Sequence, residues 1–153
     1  MIEEGFSVYN GMMPQFPDIE EKFDAIVASH IIEHLNNAQE ALHFLVNCRK
    51  MLLDRGGRYL IILYPDIEKV GFLFYQDYTH SFITTKKRIE DMLYDTEWKI
   101  VSSRRYTACF FLFSGLISFI GKFFPYFLLP QKIAWFLRLS FQQHCVTIAE
   151  PVN

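Results

Sequence analysis

The chain has 153 residues, half of them apolar and a fifth charged, which fits one globular domain and excludes a disordered chain. Its three cysteines, Cys48, Cys109 and Cys145, lie far apart with no C-x-x-C pair, which excludes a zinc ribbon and a disulfide framework and points to a reduced, cytoplasmic setting. Net charge is −2, but residues 1–97 carry 9 Lys and Arg against 16 Asp and Glu, whereas residues 98–153 carry 6 against the single acid Glu150. The C-terminal third is therefore a different chemical environment from the rest. The opening "MIEEGFSVYN" shows neither the basic nor the apolar region of a signal peptide.

In chain order, residues 6–10 (FSVYN) alternate well enough for a short strand, and 11–22, with two prolines and an acidic end, read as a loop. Residues 23–29 (FDAIVAS) form a continuous β-prone apolar run, the pattern of a strand covered on both faces. Asn36 or Asn37 can cap a helix over 38–52, where Ala38, Ala41, Leu42, Leu45, Val46, Cys48 and Leu52 or Leu53 share one apolar face. Residues 54–57 (DRGG) end it on a glycine suited to a left-handed cap, and 58–65 (RYLIILYP) read as a second fully buried strand. Residues 66–82 show no clean period and read as a long loop. Thr84 or Thr85 can cap a helix over 86–95, followed by a strand over 98–106, a long apolar segment over 107–141 and a closing strand over 144–152. This alternation predicts an α/β domain with a mostly parallel sheet.

The turn after the first buried run carries His30, Glu33 and His34 in the spacing His-x-x-Glu-His. As a bare pattern this is the inverted zinc-protease signature, which needs both histidines on one long helix with the glutamate as general base. The strand-like run before it and Asn36–Asn37 after it leave too few helical residues, so a metal hydrolase is the weakest of the functional readings.

The stretches "FDAIVASHIIEHL" (23–35), "MLLDRGGRYLIILYP" (51–65) and "DYTHSFITTKKRIEDMLYDTEWKIV" (77–101) resemble successive parts of class I S-adenosylmethionine-dependent methyltransferases. The resemblance covers roughly residues 6–105 and 144–152. It implies a Rossmann-like α/β fold with sheet order 3-2-1-4-5-7-6, joined here at about the third strand (6–10). The implied architecture is a single, N-terminally incomplete domain over 1–153, with an apolar helical insert over 106–141 before the last strand. S-adenosylmethionine is the implied cofactor, with Met12, Met13, Ser29 and His30 beside it. The family's glycine-rich loop is missing, since the seven glycines (5, 11, 56, 57, 71, 115, 121) include no G-x-G, and so is the acid usually found near Gly11 or Met12. Without the first two strands, strand 23–29 becomes an apolar open edge, unless strand 6–10 moves beside it or a partner fills the gap.

One branch of these enzymes, including quinone-pathway O-methyltransferases and small-RNA 3′-end methyltransferases, holds a divalent ion against substrate hydroxyls with Glu-x-x-Glu-His and a later His. By position Glu33 and His34 match, His30 replaces the first Glu, and His80 of "DYTH" stands for the later His, giving a metal set of His30, Glu33, His34 and His80. Glu33 and His80 are then the catalytic candidates, His80 as a substrate-side base because imidazole titrates near neutral pH. A reading without metal has His34 ordering the turn, Glu33 facing the pocket or the next helix, His30 near the methionine end of the donor, and Asp77 with His80 pinning the loop.

Residues 106–141 hold nine of the sixteen phenylalanines, no acid, and only Lys122, Lys132 and Arg138 as charges. Tyr106 to Gly121 is 16 residues, short of the roughly 20 that span a bilayer. Short helices in a membrane interface fit this length and charge; burial over the sheet and the acceptor pocket, or a dimer face, are the alternatives. The expected function is methyl transfer to an oxygen or similar nucleophile of an apolar or lipid-linked small molecule, in the cytoplasm or at the inner face of the membrane. No nucleic-acid partner is expected. The rival is a non-catalytic remnant acting through membrane or partner association.

Overall fold

The computed structural model describes residues 7–17, 19–107 and 143–152. The expected insert over 106–141 falls outside them except for Tyr106 and Thr107, which belong to a strand. Residues 7–10 are not a strand: their alternation meets no partner, and Val8 is 70% exposed.

Strand β1 (Ala25–Ser29) starts where the Asp24 carbonyl accepts the N–H groups of Arg58 and Tyr59 at 2.7 and 3.2 Å. Helix α1 (Ala38–Arg55) is capped by Asn37, whose side chain accepts the Glu40 N–H at 3.0 Å, while the Glu40 carboxylate accepts the Asn36 N–H at 3.0 Å. It ends on Gly56 in the left-handed region, φ 77°, whose N–H reaches the Leu52 carbonyl. At Gly57 a Cβ would stand 2.7 Å from the Phe23 carbonyl oxygen and 2.4 Å from Leu52 Cδ2. That close approach lets the end of α1 pass the start of β1, and Gly57→Ala should cost about 1–3 kcal/mol, read from urea midpoints at unchanged slope.

Strand β2 (Tyr59–Pro65) leads into helix α2 (Ile67–Val70) and a 3₁₀ stretch, Gly71–Gln76. The expected long loop is thus partly helical. Asp66 supplies the start by accepting the Glu68 N–H at 3.2 Å, and a four-residue helix is too short to leave a period in the sequence. Helix α3 (Lys86–Asp95), capped by Thr85, precedes β3 (Trp98–Thr107); β4 (Gln143–Pro151) closes the sheet.

The strand order is β1-β2-β4-β3, with β1 and β2 parallel and the other two pairings antiparallel. Among the described residues three of the four strands run in one direction, and β4, inserted between β2 and β3, runs against them. Helix α3 carries β3 into the same direction as β2 but one strand's width away, and β4 returns into that gap. The order corresponds to the last four positions, 4-5-7-6, of the sheet that the family resemblance implies.

Helices α1 and α3 cover one face of this sheet. Phe44, Leu45, Cys48 and Leu52 of α1 and Ile89, Met92 and Leu93 of α3 form a single core with Ala28, Leu60, Ile62, Tyr64, Cys145 and Ala149. Between them Tyr64 Oη and Ser103 Oγ both lie 3.1 Å from Thr147 Oγ1, so the buried hydroxyls satisfy one another. The alternate residues Val27, Ile61, Leu63, Val146 and Ile148 point to the other face and are half-buried, or in Val27 60% exposed. Strands β1 and β2 are therefore not covered on both faces by the described residues, and β1 is an edge strand.

Candidate functional site

The carboxyl ends of β1 and β2 and the start of β4 meet at one end of the sheet, the position at which open α/β sheets bind ligands. At the end of β1, His30 turns the chain with φ 53°, a left-handed value uncommon for a side-chain-bearing residue, while its N–H bonds the Leu63 carbonyl at 2.9 Å. A single 3₁₀ turn, Ile32–His34, follows. Among the described residues only these three are helical before α1, so His30 and His34 do not share the long helix that the zinc-protease pattern requires.

The turn buries Glu33 completely and leaves His34 exposed. Glu33 Oε1 accepts a 2.8 Å bond from His30 Nδ1; Glu33 Oε2 is buried with no hydrogen-bond partner among the described residues. A buried carboxylate oxygen left this way is costly and calls for a ligand.

His80 comes from the other side, on a segment fastened to the sheet. Thr84 Oγ1 donates to the Pro65 carbonyl at 2.5 Å, the Ile67 N–H to the Thr84 carbonyl at 3.0 Å, and the Phe82 N–H to the Glu33 carbonyl at 3.0 Å. Within the segment, Asp77 Oδ1 accepts the Thr79 N–H at 2.9 Å and the Thr79 hydroxyl at 2.5 Å. These bonds hold the Asp77 carboxyl below its usual range.

Because the Thr79 hydroxyl gives its proton to Asp77, its oxygen accepts from His34 Nδ1 at 2.9 Å; the Thr79 carbonyl also lies 3.3 Å from that nitrogen. His80 Nδ1 likewise faces the Phe74 carbonyl at 2.8 Å, and the His80 ring lies between those of Phe74 and His34, each at 4.8 Å. A carbonyl only accepts, so His80 Nδ1 donates to Phe74, while His80 Nε2 lies 3.7 Å from Asp77 Oδ2.

Glu33, His34 and His80 each bring one donor atom within 4.8 Å of the others, a set that could hold a metal ion. The orphaned carboxylate oxygen and the two imidazoles, each held at Nδ1 by an outer oxygen, fit a cation. Of the four expected ligands, His30 is the exception: it binds the carboxylate itself. That bond raises the His30 pKa against the opposing effect of burial.

Two neighbours were not legible as site residues. His144 opens β4 with its ring 5.1 Å from His30 and 5.8 Å from Tyr106, and burial, then the His30 charge, lowers its pKa. Asp66, fully buried at the end of β2, accepts Arg105 Nε at 2.6 Å. Its signal was an acid directly after a strand; His144 had none, since its place depends on where β4 inserts. NMR titration should find His30 still charged, and His144 already neutral, at the midpoint of an ordinary histidine. His30 then stabilises the fold below its unfolded pKa and loses this as pH rises through its folded value. Protonation of His144 costs stability as pH falls below its unfolded pKa.

The expected donor-side residues are scattered. Ser29 and His30 lie together at the end of β1, but Met12 is 85% exposed and Met13 packs against the core. No hydrogen bond or ring contact among the described residues joins these methionines to Ser29 or His30. A separate cavity of about 430 Å³ lies between Phe16 and Pro17 and the outer face of α1 at Asn47, Lys50 and Met51; no residue of the Glu33 cluster lines it.

No protein-family profile matches the chain, and no curated protein matches it in sequence. Solved structures do match in fold. A Bacillus halodurans protein described as a methyltransferase superposes with a TM-score of 0.53 at 12% identity, over 90% of this chain and 68% of its own. The small RNA methyltransferase HEN1 superposes with a TM-score of 0.56 at 12% identity, over 94% of this chain and 16% of its own. The fold is that of the class I methyltransferases, joined at the part of the sheet that β1 to β4 represent.

Proposed function

We propose that this chain forms the acceptor side of an S-adenosylmethionine-dependent methyltransferase that acts on an oxygen or similar nucleophile of an apolar or lipid-linked small molecule. The observation that carries the reading is the Glu33–His34–His80 cluster at the ligand-binding end of a methyltransferase sheet. A divalent ion held there would lower the pKa of an acceptor hydroxyl and fix its orientation. The chain's own residues supply the rest. Thr79 and Phe74 orient the His34 and His80 rings through their Nδ1 atoms, and the Asp77 carboxylate stands 3.7 Å from His80 Nε2. Glu33 supplies the buried carboxylate of the cluster.

The methyl donor fits less well. Among the described residues no glycine-rich turn follows a strand, so none of them offers the donor a backbone cradle. The second reading is a non-catalytic methyltransferase-like chain that acts by association. Equilibrium dialysis of the 153-residue chain with radiolabelled S-adenosylmethionine separates the two. Saturable binding displaced by S-adenosylhomocysteine is expected of an enzyme, and its absence supports the association reading.

The apolar character of the acceptor rests on the composition of residues 106–141, with nine phenylalanines and no acid. No helix among the described residues is long and apolar enough to cross a membrane. Contact at a membrane surface would appear as flotation with anionic liposomes at low salt, and failure to float there counts against it.

A further inference from the structure

We infer that His30 is a positioning residue that makes Glu33 a one-oxygen ligand, and that the site is thereby matched to a nitrogen-preferring ion such as Zn²⁺ or Co²⁺ rather than Mg²⁺. The inference rests on the metal reading proposed above and goes beyond it to the role of a residue outside the ligand set.

Three observations support it. His30 Nδ1 occupies Glu33 Oε1 at 2.8 Å, so that oxygen is already a hydrogen-bond acceptor, and Oε2 is the one left buried and unpartnered. The other two donors are imidazole nitrogens whose opposite nitrogens are engaged by protein oxygens. The backbone of His30 is held in the left-handed region, and such strain at a side-chain-bearing residue marks a position that the surrounding structure over-determines.

The donor set is then two imidazole nitrogens and one buried carboxylate oxygen, with the exposed Asp77 carboxylate 3.7 Å from His80 Nε2. Mg²⁺ prefers an all-oxygen, octahedral shell and gives up its water reluctantly, so two imidazoles recommend this site poorly to it. Zn²⁺ and Co²⁺ take imidazole readily and accept four or five ligands. With Oε1 clamped, the carboxylate cannot swing round to chelate through both oxygens, which would favour larger or harder ions. His30 acts on the ion only through Glu33, as outer partners of metal ligands do.

The test uses the full chain and the metals themselves. Co²⁺ binding is followed by its visible absorption, with Zn²⁺ and Mg²⁺ as competitors, in the native chain, His30→Gly and His30→Asn. Glycine and asparagine both tolerate the left-handed backbone at this position, and far-UV circular dichroism checks that each variant folds. The native chain should bind Co²⁺ at least about a hundredfold more tightly than Mg²⁺. His30→Gly should weaken Co²⁺ by about 10–100-fold and shift its absorption as the second carboxylate oxygen becomes free to bind; His30→Asn, which keeps an N–H donor, should fall between. Equal affinity for Mg²⁺ and Co²⁺, or a Co²⁺ spectrum and affinity unmoved in His30→Gly, overturns the inference while the metal site stands. Failure of the native chain to bind any of the three ions overturns the metal reading and this inference with it.

Discussion

Asp66→Ala should cost the fold about 1–3 kcal/mol, the loss of hydrogen bonds from a fully buried carboxylate whose partner Arg105 is one-third exposed. Asp66 is fully buried and serves three groups at once. Its Oδ2 accepts Arg105 Nε at 2.6 Å and lies 3.8 Å from Cys145 Sγ, while Oδ1 accepts the Glu68 N–H that starts α2. Without it the Arg105 guanidinium keeps only Glu68 Oε2, at 2.7 Å on the exposed side. The Cys145 thiol is pushed up to about 11 by burial first and then by the Asp66 charge, so the variant should also show a more acidic thiol. Arg105→Ala should be destabilising too, because it strands a buried carboxylate, and the double variant should lose less than the sum of the two. Urea unfolding of the four chains measures all of this. A loss below about 1 kcal/mol for Asp66→Ala would place the pair among surface ion pairs.

Glu33→Gln should separate stability from binding. The variant removes the one buried charge of the cluster yet keeps an oxygen to accept from His30, so in the absence of added metal the melting curve should move little, within about 1 kcal/mol. Ion binding should fall at least about a hundredfold, since outer partners alone are worth about 10–100-fold. A large loss of stability with binding retained would assign Glu33 to the turn alone, as the reading without metal has it. A functional group held at no benefit to the fold is what stability–function trade-off leads one to expect at a working site.

Much of this arrangement was legible in local pattern. Helix α3 spans residues 86–95 as expected and α1 runs only three residues further, because Asn37, Gly56 and Thr85 mark their ends by chemistry that acts within a turn. Glu33, His34 and His80 were identifiable as a possible metal set although 46 residues separate the last two, but only through the family resemblance, because no spacing rule joins them. What failed was non-local. An alternating run at 6–10 reads as a strand whether or not a neighbour exists to pair with it. A continuous apolar run such as 58–65 looks the same whether one face of its sheet is covered or two, and the described residues cover one face, leaving Val27 60% exposed. The antiparallel insertion of β4 depends on where the chain returns after residue 142, and with it the place of His144. His30 was assigned to the ion by analogy of position; the structure gives it to the carboxylate, because a left-handed residue three before Glu33 points its ring at the turn rather than beyond it.

The bond from the Phe82 N–H to the Glu33 carbonyl joins two segments nearly fifty residues apart at the very turn that carries the acid. Together with the Thr84 and Ile67 bonds, it means that the cost of bringing His80 to Glu33 is met when the chain folds, before any ligand arrives. The unfolded chain has no such site. An ion bound here would therefore act as a thermodynamic weight on the folded side, worth about 2.7 kcal/mol at a free concentration one hundred times its dissociation constant. The melting temperature of the chain would then gauge the surrounding metal pool, and chelation alone, with no change in sequence, would lower it.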